Sequence, residues 1–393
     1  MNARVENQLK RLRPLMLAMG AALFTLLLLS TPTLADQLEP GAPPTAPEPI
    51  PGASSSAAPE APQTRAAAAG QTLFVYLPVV QGPQTGLFVN PQNKGESAAF
   101  FQTHYNAAGG QGQARVQAQS ADASATSGIP PLEWTGNQNN CDEGELSQEF
   151  RDAVLERINY FRAMAGVPAD VQFSDEFNRK AQKAALIMSV NRRLSHSPGS
   201  DWTCYSAEGA QAAGSSNLYL GVYAWDAISG YIADPGDGNS FVGHRRWILF
   251  PQTQFMGAGD IPNTPDYPAA NALWVFDDNM GDPRPETRTE FVAWPPAGYT
   301  PYQVVFPKWS FSYPNADFSN ASVAMTRTDG SNVALTAYEP MNGFGENTLV
   351  WAPDIPLERP ASDTQYTVRI DNVLIDGVAH TFTYDVTVFD PDA

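Results

Sequence analysis

From Phe150 onward, apolar side chains recur at spacings of four and three: Phe150, Val154, Ile158, Phe161 and Ala165. That spacing puts them on one face of a helix, which Gly166 ends. A second stripe, Phe177, Ala181, Ala184 and Met188, follows Ser174, with Asp175 and Glu176 next to it. A serine N-cap with acids in the first turn suits the partial positive charge of a helix start. The pattern predicts a helix to about Leu194, with His196 just past its end. A weaker helical pattern covers 222–233. Trp247-Ile248-Leu249-Phe250 is apolar on both faces and reads as a central strand covered on both sides. Gly243 and His244 would form its entrance, and Arg245 and Arg246 would alternate sides and pair with surface acids. FMGAG (255–259), 272–276 and 289–294 read as further strands.

Beyond Trp294 the period shortens to two. Segments 302–306, 309–313, 321–327, 332–338, 347–351, 365–373 and 380–388 alternate apolar and polar residues, with turn residues such as Asp376-Gly377 between them. Seven short strands of this kind predict a C-terminal all-β, Ig-like sandwich over 289–393.

The N-terminal third lacks such patterns. Lys10, Arg11 and Arg13 precede an apolar run at 15–29, and small residues end at Ala35. This reads as a secretory signal over residues 1–35. The alternative is an uncleaved anchor, but about 15 apolar residues are short for a span of roughly 20. After cleavage no stable transmembrane anchor would remain. Residues 36–70 are rich in Pro, Ala and Ser and read as a disordered linker. Residues 71–135 take no assignment beyond partly β or irregular. TLFVYLPVV (72–80) is β-prone, but Pro78 argues against a central strand.

Charge narrows the partners. The chain carries a formal net charge of −18. Removing the signal takes away Arg4, Lys10, Arg11, Arg13 and Glu6, a net +3, and leaves about −21. Such a surface repels phosphate backbones, which argues against nucleic acid. The two cysteines, Cys141 and Cys204, are either a bridge, as an oxidising compartment permits, or two buried thiols. The expected location is secreted or cell-surface associated.

Four stretches in order resemble the CAP superfamily of cysteine-rich secretory, antigen 5 and pathogenesis-related proteins. They are RINYFRAMAGVPADVQFSDEFNRKAQKAA (157–185), LSHSPG (194–199), SSNLYLG (215–221) and VGHRRWILFP (242–251). The resemblance implies a three-layer α-β-α sandwich over 136–288 with a cleft of two histidines and two acids, which in some members holds a divalent cation. Carried onto this chain, the histidines are His196 and His244. Asp234 stands where the family often has glutamate. The other acid is either replaced by Ser216 or supplied by Glu208 in AEGA (207–210).

Two imidazoles and a carboxylate suit zinc or another divalent cation, with a position left for water. A metal-bound water is a nucleophile near neutral pH. The bland readings stand beside this one. His244 would be a hydrogen-bonded structural imidazole, and His196 would interact with the last carbonyls of its helix. No His-Glu-x-x-His and no Gly-x-Ser-x-Gly occurs. The DPGDGN stretch (234–239) lacks the acid ladder of a calcium loop and reads as a turn. The leading expectation is a secreted binding module of undetermined activity, more a binder than an enzyme. The family makes a lipid, a sterol or a cell-surface component a candidate partner. The alternatives are a metal-dependent hydrolase using the two-histidine cleft and a glycan-binding protein acting through the β-sandwich.

Overall fold

Two glycines on one strand decide how closely the second predicted helix lies against the sheet. The computed structural model describes residues 86–106 and 133–393. The signal, the linker, and residues 71–85 and 107–132 of the unassigned stretch lie outside the described residues. Within that stretch, α1 (Lys94–Phe100) is capped by Asn93 and continues as a π turn through Phe101–Asn106. The stretch read only as partly β or irregular thus contains a helical segment from Lys94 to Asn106. Phe100 and Tyr105 take their order from ring contacts with Tyr160, distant in sequence.

Helix α2 (Gln148–Ala165) starts at the Ser147 cap and ends at Gly166, whose φ of 80° needs no Cβ to be accommodated. After the short β1 (Gln172–Phe173), α3 (Asp175–Asn191) is capped by Ser174, whose hydroxyl accepts from the Phe177 amide. It stops at Arg192, earlier than Leu194, because Arg192 turns left-handed with φ 52°. Then follow α4 (Ala207–Ser215), β2 (Ser216–Leu220) and α5 (Ala224–Ala233). The remaining N-terminal elements are α6 (Gly243–Ile248), β3 (Phe255–Ile261) and β4 (Ala270–Trp274).

The strands form one sheet in the order β1-β3-β4-β2. Only β1 and β3 run parallel. A Cβ on Gly259 would lie 2.2 Å from the Ala181 carbonyl carbon, and one on Gly257 would lie 2.4 Å from the Phe177 Cβ. Backbone therefore meets backbone where α3 crosses β3. Leu218, Leu220, Ala270, Ala272 and Trp274 pack with α3 and α4. Tyr219, Met256, Ala258 and Leu273 point the other way, into a cluster with α2 and α5. Alternation along each strand thus feeds two apolar layers.

The apolar run Trp247–Phe250 is not a strand. It belongs to α6 and the turn after it. A four-residue run apolar on both faces fits a buried helix as well as a buried strand. A distant carboxylate settles the choice, as described below.

Nine strands follow: β5 (Val292–Trp294), β6 (Gly298–Pro301), β7 (Trp309–Ser312), β8 (Ser322–Arg327), β9 (Asn332–Val333), β10 (Leu335–Tyr338), β11 (Thr348–Pro353), β12 (Thr364–Ile375) and β13 (Val378–Phe389). They form two mostly antiparallel sheets, β10-β11-β7-β5 and β6-β13-β12-β8-β9. Trp309, Phe311 and Trp351 from one sheet, with Phe291 just ahead of β5, meet Val368, Ile370, Phe382 and Val386 from the other in one core. Asp376-Gly377, both at positive φ, close the β12–β13 hairpin. Segment 302–306 is a 3-10 turn at Tyr302–Val304, not a strand, while β6 had no alternating signal. Val292 and Trp294 join the N-terminal cluster, and Phe291 and Ala293 join the C-terminal one, so β5 serves both cores.

Candidate functional site

His244 is wholly buried. Its Nδ1 lies 2.8 Å from Asp234 Oδ1, and its own backbone amide donates to Asp234 Oδ2 at 3.0 Å. The Arg245 amide reaches the same oxygen at 3.4 Å. Asp234 follows α5 in a left-handed conformation, φ 50°, which an aspartate tolerates better than most residues. From there it supplies the first amides of α6 with the acceptor that a helix start lacks. The helix forms at Gly243–Ile248 because this carboxylate stands at its beginning. Lys308, before β7, donates to the carbonyls of Asp234 and Gly236 at 2.7 and 2.6 Å and fixes that loop in turn.

A polar ladder runs from His244 into the sheet. Its ring stacks on Tyr231 with centroids 5.4 Å apart. The Tyr231 hydroxyl donates to Asn271 Oδ1 at 2.8 Å, and Asn271 Nδ2 donates to Asp260 Oδ1 at 2.8 Å. The Ala224 amide reaches the same Asp260 oxygen at 2.6 Å. Burial pushes the Asp260 carboxyl up to about 6, against the pull of those donors. Burial likewise holds the Tyr231 phenol well above its ordinary range.

The sign of the Asp260 effect follows from its direction. The folded protein binds this proton up to about pH 6, whereas the unfolded chain releases it near pH 4. Between these values the native state holds more protons, so this contribution to stability falls as pH rises and levels off above about 6. A gap of two pKa steps corresponds to roughly 3 kcal/mol. Urea unfolding at pH 4.5 and pH 7 is expected to show a larger drop for the wild type than for Asp260→Asn, which carries no such proton. Equal drops in the two proteins would refute the assignment.

The remaining predicted site residues lie apart. His196 is part-exposed, and its Nδ1 sits 2.6 Å from the Ala213 carbonyl oxygen at the end of α4. Glu208 is on the surface, bound by Arg179 Nη1 at 2.6 Å, Arg179 Nη2 at 2.8 Å and Lys183 Nζ at 2.5 Å. Those cations hold its carboxyl down at about 2. Ser216 is buried on β2 and shares a face with Leu218, away from Asn217 and Tyr219. Its hydroxyl therefore does not complete a Ser–His–Asp relay with His244 and Asp234.

The structure does not bring His196, His244, Asp234 and Glu208 into one centre. Among the described residues no group of three or more His, Cys, Asp or Glu is placed to hold a metal ion. The donor chemistry agrees, since Asp234 spends both oxygens on α6 and Glu208 spends both on cations. The four do not fit a zinc or other divalent cation. Cys141 and Cys204 are joined as a disulfide, Cα to Cα 5.1 Å.

Arg245 and Arg246 were expected to pair with surface acids, yet both are buried and turn to backbone. Arg245 donates to the Ile232 carbonyl at 2.6 Å, the Lys308 carbonyl at 2.8 Å and Ser310 Oγ at 2.9 Å. Arg246 reaches the Met341 and Glu346 carbonyls at 2.6 and 2.9 Å. Desolvation lowers them to about 9 and about 10, so both remain cationic at neutral pH. The Glu346 carboxylate is also buried, against Arg284. Tyr231, Asp260, Asn271 and Lys308 gave little sign in the sequence. One was present: Asp260 closes the apolar strand pattern FMGAG with an acid.

The region from α2 to β4 spans the four segments singled out in the sequence. Residues 155–276 match the family model described as CAP: Cysteine-rich secretory protein family. The match covers about a third of the chain and places a CAP-like domain at residues 155–276. No curated protein matches it. No helix among the described residues is long and apolar enough to cross a membrane.

Proposed function

We propose that the chain is an exported CAP-domain binding protein in which Asp234 and His244 are structural. One observation carries this reading: the Asp234 carboxylate is consumed by the His244 ring and by the first amides of α6. An imidazole buried behind that carboxylate orders a helix start and offers little to a substrate. The apolar run at 15–29 and the Cys141–Cys204 bridge support export, to the medium or the cell surface. On this reading 1–35 is a removed signal and 36–70 a tether. Residues 136–288 make a three-layer α-β-α domain, and 289–393 an Ig-like sandwich that braces it through Lys308 and Ser310. The partner is a cell-surface component or a lipid.

Zinc tests this against a metal-dependent hydrolase. An ion held at a hundred times its dissociation constant adds about 2.7 kcal/mol to stability, an upward shift of several degrees in Tm. We expect the same Tm in zinc chloride and in chelator. A saturable rise in zinc that disappears in His196→Ala would overturn the proposal.

A further inference from the structure

An open groove of about 420 Å³ lies on the N-terminal part of the molecule, away from His244. Its walls are Pro168, Asp170 and Gln172 before and on β1, the segment Pro251–Phe255 leading into β3, and the loop Asp282–Pro285. The size falls within the usual range of ligand sites. The frame is rigid. Arg162, fully buried under it, donates to the Pro168 carbonyl at 2.7 Å on one wall and to the Thr253 carbonyl at 3.1 Å on the other. Asp277 Oδ2 accepts from the Gln254 and Phe255 amides, each at 2.8 Å. Prolines in each wall restrict the backbone further.

The lining has a definite chemistry. Gln172, Gln252, Gln254 and Thr253 supply donors and acceptors in both directions. Phe255 offers a ring face and is 40% exposed. The charges are Asp170 and Asp282, with no cation among the lining residues. Two polar atoms there lack a partner: Gln252 Oε1 and the Oγ1 of Thr253, itself only 2% exposed. Both atoms are themselves closed to solvent, so the exposed amides, acids and the Phe255 ring carry the contacts to a ligand. Paired carboxylate and amide acceptors match adjacent hydroxyls, and the ring matches the apolar face of a sugar. The acids, in a chain of net charge −18, repel sulfated or phosphorylated ligands. The amides and acids of the lining disfavour an aliphatic chain.

The geometry points to this groove as a binding site for a glycan strand of uncharged or amine-bearing sugars. The inference rests on the reading of the chain as a binding protein and names its ligand class. The experiment is calorimetry on the disulfide-bonded chain with hexamers of glucose, N-acetylglucosamine and glucosamine, a sulfated hexasaccharide and a basic proline-rich peptide. Phe255→Ala, Gln172→Ala and Asp282→Asn change exposed side chains, so the fold survives. The expected result is saturable binding of at least one uncharged or amino-sugar hexamer and none of the sulfated one. Phe255→Ala should weaken it at least about tenfold, as loss of an aromatic contact does. Asp282→Asn should weaken glucosamine binding most. Binding of the peptide alone, of no probe, or with equal affinity in all variants would overturn the groove assignment while leaving the binding-protein reading standing. Shortened sugar products after incubation would instead overturn the binding-protein reading and leave the groove in place.

Discussion

Arg162→Ala is expected to lower stability by at least about 4 kcal/mol, read as the free energy of urea unfolding. Arg162 lies on α2 with no exposed surface. It donates through Nε to Pro168 at 2.7 Å, and through Nη1 to Ile248 at 2.7 Å and Phe250 at 2.9 Å. Through Nη2 it reaches Thr253 at 3.1 Å. All four acceptors are backbone carbonyls: Pro168 before β1, Ile248 at the end of α6, and Phe250 and Thr253 in the segment that follows, where the Phe250 carbonyl also accepts from the Thr253 amide. Each buried carbonyl left unpaired costs about 1–3 kcal/mol, and the deleted side chain leaves a cavity besides. These terms overlap, so their sum is an upper bound. Burial lowers the guanidinium to about 10, which keeps it charged throughout the neutral range. Arg162→Lys keeps the charge but loses the planar fork, and should recover only part of the loss. A change below about 1 kcal/mol for the alanine variant would mean that water replaces the fork, and the rigid-frame account of the groove would fall with it.

The same arginine shows where sequence reading stops. Helices α2 and α3 were legible because their apolar residues keep a helical period over four turns and their ends carry Ser174 and Gly166. Strands β7, β8 and β11 to β13 were legible because alternation persists between clear turns. Both signals are local. The α6 helix was not, since its cause is Asp234, nine residues before it starts and on another element. The buried arginines were misread for a related reason. A cationic side chain ordinarily marks a surface, and only the fold reveals unpaired carbonyls gathered around Arg162, Arg245 and Arg246. The resemblance named His196, His244, Asp234 and Glu208 together; Asp234 lies against His244, whereas Glu208 is paired with Arg179 and Lys183 at the surface. Lys308 and Asp260 could not be assigned, because a single residue in a strand or turn carries no period.

Asp234→Ala is expected to cost about 3–5 kcal/mol, because three buried polar groups lose one shared acceptor and each group left unpaired costs about 1–3 kcal/mol. The carboxylate is the acceptor for the His244 ring and for the amides of His244 and Arg245. Without it His244 has neither ring nitrogen partnered, since Nε2 already lacks a hydrogen bond among the described residues. Part of the alanine effect comes from the backbone. At φ 50° alanine is strained by roughly 1–2 kcal/mol, whereas glycine is not. Asp234→Gly therefore isolates the hydrogen bonds, and Asp234→Asn keeps an acceptor for the amides while altering the contact with the ring. The expected order of stability is wild type, Asn, Gly, Ala. Hydrogen exchange gives the local reading: the amides of His244 and Arg245 should lose protection in the Gly variant before those of α3 do. If Asp234 served a cation instead, Asn and Gly would both abolish zinc binding with little loss of stability. A Gly variant as stable as the wild type, with α6 amides still protected, would remove the structural role assigned to this pair and return it to the list of candidate ligands.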